Sequence, residues 1–259
     1  KHRQLYPKKG WVEHDPIEII DNIYSLFNEM LAKHQLIHEE IKSISITNQR
    51  ETIVAWNRVT GEPIYNSLVW QCNRGKDICL KLAADGKEEL VKRKTGLRID
   101  SYFSGSKIKW LAENSLAMND LAKKQELAIG TMDAWIIWNL TQGRVFATEP
   151  SNACRTLLYD IHKNQWDEEL TQLFEAPLSA LPQVKRSRDD FGYYKGIPIV
   201  SGRADSQAAL FGQNCVEVGD VKATLGTGCS VMMQVRENDN FNNDEIMTTI
   251  GWCDEKTTF

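Results

Sequence analysis

The chain has 259 residues, 42% of them hydrophobic and 25% charged, the balance of a globular protein of one to two domains, which excludes a collagen, a disulfide scaffold and a wholly disordered chain. Its formal charge of −4 argues against a non-specific nucleic-acid binder, whose hold on phosphates needs clustered Lys and Arg. No apolar run reaches the length of a membrane span, since Asp133 interrupts the best one, Ala128 to Leu140, and the start, Lys1-His2-Arg3-Gln4, lacks the apolar core of a signal peptide.

Asp15-Pro16-Ile17-Glu18 opens a helix: an N-cap acid, Pro at the first turn and Glu at the third position. Ile19, Ile20, Ile23, Phe27, Met30 and Leu31 then recur at helical spacing. Ser43 to Ile46 alternates as a strand does. Thr52 to Trp56 and Ile64 to Trp70 read as two more strands, and the turn at Thr60-Gly61 makes them a hairpin. Helices are expected over Cys72 to Ala84, Lys87 to Lys94 and Ser104 to Glu113, the last ending before a polar stretch. Leu127 to Thr131 reads as a strand and Asp133 to Leu140 as an aromatic-rich helix, with Thr141-Gln142-Gly143 turning into a second hairpin. Lys185 to Gly196 is polar and linker-like. Ile197 to Ser201 is a buried strand and Ser206 to Asn214 a helix. Val221 to Leu225, Ser230 to Val235 and Met247 to Trp252 read as strands. Helices and strands thus alternate, with hairpins between them, which predicts an α/β chain with a mixed sheet. A change of composition near Val216 to Asp220 marks the approach to a second domain.

The six cysteines, at 72, 79, 154, 215, 229 and 253, form no Cys-x-x-Cys pair, and reduced thiols in a cytoplasmic protein are expected. His34 and His38 are four apart and can share a helix face, but two ligands without a third read as solvated rather than metal-binding. The chain starts on Lys1 and stops on Phe259 after a polar turn; both ends read as cut, so parts of an active site are expected to lie outside it.

Three segments can carry chemistry. Asn48-Gln49-Arg50-Glu51-Thr52 follows a strand, where α/β proteins bind ligands. Arg50 and Glu51 read either as a surface salt pair or as a donor fork and an acceptor for a polyol. Neighbours on an extended segment point to opposite faces unless a bulge intervenes. Gly202-Arg203-Ala204-Asp205 joins a strand to a helix, so Asp205 reads as an N-cap, as a general base, or as both. Leu225-Gly226-Thr227-Gly228-Cys229 lies between two strands; it reads as a hairpin turn or as a phosphate cradle of backbone N–H groups with the Thr227 hydroxyl. No P-loop motif occurs. Trp70, Trp110, Trp135 and Trp138 read mostly as core, but Trp70 ends a strand, where an indole face can pack on the C–H face of a small polyol.

Tyr102-Phe103-Ser104-Gly105-Ser106-Lys107-Ile108-Lys109-Trp110-Leu111-Ala112-Glu113-Asn114 looks like a signature segment of the FGGY carbohydrate kinases. With Tyr6 to Asp15, Ile46 to Thr52, Val69 to Cys72, Thr95 to Leu97, Asn152 to Thr156 and Ala208 to Gly212, the chain resembles that family from near residue 3 to near residue 235, and most closely its glycerol-phosphorylating members. The resemblance implies an actin-like, ribonuclease-H-like ATPase fold, a mixed sheet flanked by helices. It implies a substrate domain over residues 1–218, missing its first strands, and over 219–259 the first hairpin of a truncated nucleotide domain. It implies ATP and Mg²⁺, a cytoplasmic homo-oligomer (dimer or tetramer), and transfer of phosphate to a primary hydroxyl of a small polyol, glycerol foremost. Arg50, Glu51, Tyr102 and Asp205 match polyol hydroxyl contacts, Trp70 the ring on its carbon backbone, Asp205 the catalytic base, and Gly226, Thr227 and Gly228 a phosphate loop. No protein metal ligand is implied.

The chain departs from the family at several places. Ser206 stands where glycerol-phosphorylating members usually carry Gln, a polyol contact, and Ser230 where they usually carry Phe, an apolar wall. Arg203 and Ala204 replace small or glycine positions, and the first phosphate loop and most of the second domain are absent. The two serines would enlarge and wet the pocket, so another sugar or polyol is the alternative substrate. A non-catalytic polyol sensor is a second alternative. An actin-like hydrolase or nuclease is a third, but its carboxylate cluster is missing.

Overall fold

The computed structural model describes residues 1–225, 229–236 and 246–259. A short strand β1 (Glu13–His14) leads into helix α1 (Pro16–His34). The Asp15 carboxylate accepts the Ile17 N–H at 2.9 Å, as its N-cap position requires. The helix ends on Gln35 in the left-handed conformation (φ 54°). His38 lies beyond it in a 3₁₀ turn and stacks on Phe27, so His34 and His38 do not share one helix face. Strands β2 (Ile44–Asn48), β3 (Ile53–Asn57) and β4 (Ser67–Leu68) follow.

The hairpin expected around Thr60-Gly61 forms, but its second strand shrinks to two residues. The Ile64 N–H reaches the Ala55 carbonyl and Leu68 pairs with Ile53. Two residues of β3 therefore face four of the returning chain. The extra pair, Tyr65-Asn66, loops out, and the Asn66 amide donates to Glu13.

Helices α2 (Lys76–Ala84), α3 (Glu88–Thr95), α4 (Ser104–Asn114) and α5 (Leu116–Lys123) come next. Helix α2 starts four residues later than expected, because backbone bonds from Cys72 to Val69 and from Asn73 to Gly10 hold its approach in a turn. Helix α5 replaces the expected polar stretch. Ser115 caps it by accepting the Met118 N–H, and Met118 and Leu121 go into the core while Leu116 stays in solvent. Strand β5 (Leu127–Thr131) and helix α6 (Met132–Leu140) form as expected.

Strand β3 explains the core. All of Ile53, Val54, Ala55 and Trp56 are buried, because this strand is covered on both faces. Its period of two sends Ile53 and Ala55 to one side, where they meet Leu82, Phe103, Ile108, Leu121 and Phe174. Val54 and Trp56 go to the other, where they meet Ile20, Ile46, Met132, Trp135 and Phe191. Strands β1, β4, β3 and β5 form one antiparallel sheet in that order, with α2, α4 and α5 on one side and α1 and α6 on the other. Gly130 lets α6 close down on it: a Cβ there would lie 2.6 Å from the Ala134 Cβ.

Trp135 is wholly buried and its indole donates to the Pro16 carbonyl at 3.0 Å, as its place in the apolar run predicts; Trp70 instead keeps 36% exposure. Trp135→Ala should lower stability by about 3–5 kcal/mol, read as a fall in the urea midpoint with an unchanged slope.

Beyond α6 the turn at Thr141 to Gly143 forms, with Gln142 and Gly143 left-handed, but no hairpin follows. Strand β6 (Ala147–Thr148) precedes the short turn α7 (Pro150–Ala153), the strands β7 (Tyr159–Asp160) and β8 (Gln165–Trp166), and helix α8 (Glu168–Leu173). Strand β6 finds its partner, in parallel, in β9 (Gln183–Val184). The polar run expected to be a linker is packed instead: Phe191 is fully buried, and β10 (Tyr193–Tyr194) pairs with β11 (Ile197–Ala204).

Strand β11 lies parallel to β2, with Arg203 beside Thr47 and Ala204 beside Asn48. Helix α9 (Asp205–Gly212) follows, then an antiparallel hairpin of β12 (Val221–Leu225) and β13 (Cys229–Met233). Of Met247 to Trp252 only Trp252 enters a strand: β14 (Trp252–Cys253) pairs with β15 (Thr257–Thr258). All six cysteines are free thiols. Among the described residues no helix is long and apolar enough to cross a membrane.

Candidate active site

Two parallel strands place the site. Strands β2 and β11 run side by side and stop in register, at Asn48 and Ala204. The segment Gln49-Arg50-Glu51 and the residue Asp205 therefore leave the sheet at the same carboxyl edge, where open α/β sheets bind ligands. The turn α7 fastens both ends. Asn152 exchanges side-chain amide bonds with Asn48, at 2.9 and 3.1 Å. Ser151 accepts the Ala204 N–H at 2.9 Å and donates to Glu149. Glu149 gathers the N–H groups of Ser151 and Asn152 and the hydroxyl of Ser187. Burial pushes this carboxyl up to about 7, although its hydrogen bonds oppose the shift.

The backbone turns sharply after Arg50. Glu51 has φ 60°, a left-handed conformation that a residue with a Cβ adopts at a cost. That turn breaks the alternation of an extended segment, so Arg50 and Glu51 face each other instead of opposite ways. The Arg50 Nε lies 3.8 Å from one Glu51 carboxylate oxygen, and the other accepts the Arg155 Nε at 2.8 Å. Glu51 is 1% exposed, and the Ser104 hydroxyl donates to its carbonyl. The Arg155 guanidinium rests over the Phe103 ring, 4.8 Å from its centre.

Asp205 and Tyr102 complete the cluster. The Arg50 Nε is 3.4 Å from an Asp205 carboxylate oxygen, and its Nη2 donates to the Tyr102 hydroxyl at 3.5 Å. Trp70 packs edge-on against the Tyr102 ring, with centres 5.6 Å apart. Burial pulls the Arg50 guanidinium down, but Glu51, Tyr102 and Asp205 outweigh it and hold the group more firmly charged. Burial, reinforced by Glu51, pushes the Tyr102 phenol up, which keeps it a neutral donor. The N-cap expected of Asp205 is not what forms. Ala204 occupies that position, and Asp205 opens α9 with its carboxylate on the adjacent Ser206 N–H, at 2.7 Å. With 56% of its side chain exposed, it is a carboxylate that a ligand hydroxyl can reach.

Arg50, Glu51, Tyr102 and Asp205 are thus brought together, and Trp70 joins them through Tyr102. Ser206 reaches the cluster by its backbone: its carbonyl accepts the Lys222 ammonium of β12, at 3.2 Å. Gly226, Thr227 and Gly228 lie outside the described residues. A cavity of about 550 Å³ opens beside Arg50 and Tyr102, lined also by Arg98, Asp100, Arg155 and Ser230; Asp205, Glu51 and Trp70 are not part of its wall. Among the described residues no group of three or more His, Cys, Asp or Glu side chains can hold a metal ion. Arg155 and the Glu149-Ser151-Asn152 bracket were not singled out from the sequence as site residues. Their signal is the density of polar residues in a stretch that turns out to be buried, Thr148 to Thr156.

Residues 1–212 match the model of the FGGY family of carbohydrate kinases, N-terminal domain. Glycerol kinase 1 of Thermotoga maritima is 45% identical over 263 residues, an alignment covering 99% of this chain and 54% of that protein. The glycerol kinase of Desulforamulus reducens is 47% identical, with 99% and 53% covered. The chain spans about half the length of these relatives. The crystal structure of Plasmodium falciparum glycerol kinase with ADP superposes with a TM-score of 0.95 at 36% identity, covering 100% of this chain and 54% of that one. Gluconate kinase from Lactobacillus acidophilus, 20% identical with a TM-score of 0.79, shares the fold. The actin-like α/β architecture that the resemblance implied is borne out.

Proposed function

As the chain belongs to the FGGY family of carbohydrate kinases, we propose that the whole protein transfers the terminal phosphoryl group of ATP to a primary hydroxyl of a small polyol, glycerol first. The observation that carries this reading is the convergence of Asp205 and Tyr102 on the Arg50 guanidinium, at 3.4 and 3.5 Å, with Glu51 beside it. A donor fork, an acceptor and a phenol then surround a carboxylate, which is what a molecule made of adjacent hydroxyls needs.

Arg50, Glu51 and Tyr102 fix the polyol, and the Trp70 indole covers its carbon backbone. Asp205 accepts the proton of the attacking hydroxyl as its oxygen bonds to the γ-phosphorus and the bond to the β-phosphate oxygen breaks. Positioning supplies most of the acceleration, because phosphoryl transfer leaves a protein little covalent work. Gly226, Thr227 and Gly228 join β12 to β13 and would give their N–H groups and a hydroxyl to the nucleotide's phosphates. Mg²⁺ bound with the nucleotide would neutralise charge on those phosphates.

We assign residues 1–218 to the polyol domain and 219–259 to the start of the nucleotide domain. The end of the family match at residue 212 and the separate two-stranded sheet of β12 and β13 support that division. A cytoplasmic homo-oligomer is the matching assignment for the whole protein. The test is a coupled assay of the full-length protein with ATP, Mg²⁺ and a panel of polyols and sugars. Glycerol should have the highest kcat/KM. Binding without turnover of any member would make the protein a sensor.

The cavity lined by Ser230 favours a second reading, in which a larger polyol is also accepted. A Phe ring in place of Ser230 would fill part of this cavity, which Tyr102 also lines. Ser230→Phe should therefore cut kcat/KM for five- and six-carbon polyols by about tenfold relative to glycerol. An unchanged ratio would remove Ser230 from the specificity wall.

A further inference from the structure

Lys107 is a buried cation that the proposed chemistry does not use. It lies in the first turn of α4, and its side chain is wholly shielded from solvent. Its ammonium donates to three successive carbonyls, those of Ser101 at 2.6 Å, Tyr102 at 2.8 Å and Phe103 at 3.1 Å. All three donors of the group are thereby used. The carbonyls of Ser101 and Tyr102 precede the helix and have no place in its ladder, so the loop is wrapped around the charge. With its carbonyls turned inward, the loop presents Tyr102 to Arg50 and Trp70, and the Phe103 ring to Arg155.

We propose that Lys107 is a positioning residue for the polyol site, holding the Ser101-to-Phe103 loop so that the Tyr102 phenol meets Arg50 and Trp70. Its part in turnover rests on the polyol-kinase reading; its hold on the loop does not.

The charge is held in an apolar setting. Burial brings the Lys107 ammonium down from 10.5 to about 8, against the opposing pull of Glu51, Cys72, Cys79 and Asp100, which face it from the segments around α4. Two consequences have opposite signs. Between about pH 8 and 10.5 the unfolded chain holds more protons at this site than the folded one, so the site's contribution to stability rises with pH. Over the same range the neutral amine keeps two N–H groups for three carbonyls, and the loop loosens. Burial, reinforced by Glu51, pushes the Tyr102 phenol up from its ordinary value.

The experiment uses the full-length protein labelled with 5-fluorotryptophan, with the Trp70 ¹⁹F resonance assigned by its loss in Trp70→Phe. The resonance should shift with a midpoint near pH 8 in the wild type. In Lys107→Met it should be pH-independent and displaced toward its position in Tyr102→Ala, while the core tryptophans stay in place. The polyol KM should rise several-fold between pH 7 and 9.5 in the wild type, with kcat changing less. In Lys107→Met it should be raised about tenfold at pH 7 and flat thereafter. A Trp70 resonance and KM unmoved by Lys107→Met, or a pH-dependent KM that persists in that variant, would overturn the proposal. Should the variant not fold, the wild-type titration decides alone, because a Trp70 resonance constant from pH 7 to 9.5 contradicts it. Absence of any polyol phosphorylation would defeat the kinase reading and leave the fluorine result to judge Lys107.

Discussion

Asp205→Asn should lower kcat for polyol phosphorylation by about 10²- to 10⁴-fold, the usual worth of a positioned general base, while polyol KM stays within about threefold of wild type. The reasons are local. Asn has the size of Asp and keeps an oxygen that can accept from Arg50 and from the Ser206 N–H, which hold Asp205 at 3.4 and 2.7 Å. It cannot take a proton from an attacking hydroxyl. Because 56% of the Asp205 side chain is exposed, removing its charge should barely move the unfolding midpoint. A variant that keeps near-full kcat would show that the proton leaves by another route. A matched rise in KM with kcat intact would recast Asp205 as a binding group alone.

Glu51→Gln should be the more damaging change for the fold. Glu51 is 1% exposed and faces two guanidinium groups, Arg155 at 2.8 Å and Arg50 at 3.8 Å. Removing one partner of a buried ion pair strands the other's charge in a poorly solvated place, which costs about 3–5 kcal/mol. Arg50 still has Asp205; Arg155, buried against Phe103, loses its carboxylate. Denaturant unfolding measures the loss, and the polyol KM should rise with it. Arg155→Met should recover part of the stability in the Glu51→Gln background, since the stranded charge is then gone. Equal losses in the single and double variants would show that the pair is not coupled as its geometry implies.

Local features were readable where the physics is local. Asp15, Pro16 and Glu18 announced α1, and the unbroken apolar run of β3 is what a strand buried on both faces looks like. What stayed hidden depends on distant partners. Helix α5 buries only Met118 and Leu121 and leaves Leu116 exposed, so its period is weak. The pairing of β6 with β9 joins strands more than thirty residues apart, and nothing in the turn at Gly143 encodes it. The left-handed Glu51 is the sharpest case. Its neighbours read as extended chain, and only packing against Arg155 and Ser104 explains the turn that brings it beside Arg50. The four cluster residues lie on segments as far apart as positions 50 and 205. The family resemblance united them before any coordinates did, whereas periodicity could not. Lys107 is one polar residue among many in the segment Tyr102 to Asn114, and nothing in that pattern encodes the three carbonyls around its ammonium.

The most direct test is a crystal structure of the full-length protein with glycerol and a non-hydrolysable ATP analogue. One terminal hydroxyl should lie within hydrogen-bonding distance of the Asp205 carboxylate and point at the γ-phosphate, with the others on Arg50, Glu51 and Tyr102 and the Trp70 indole against the carbon chain. Glycerol bound elsewhere, or an Asp205 carboxylate turned away from every hydroxyl, would contradict the account.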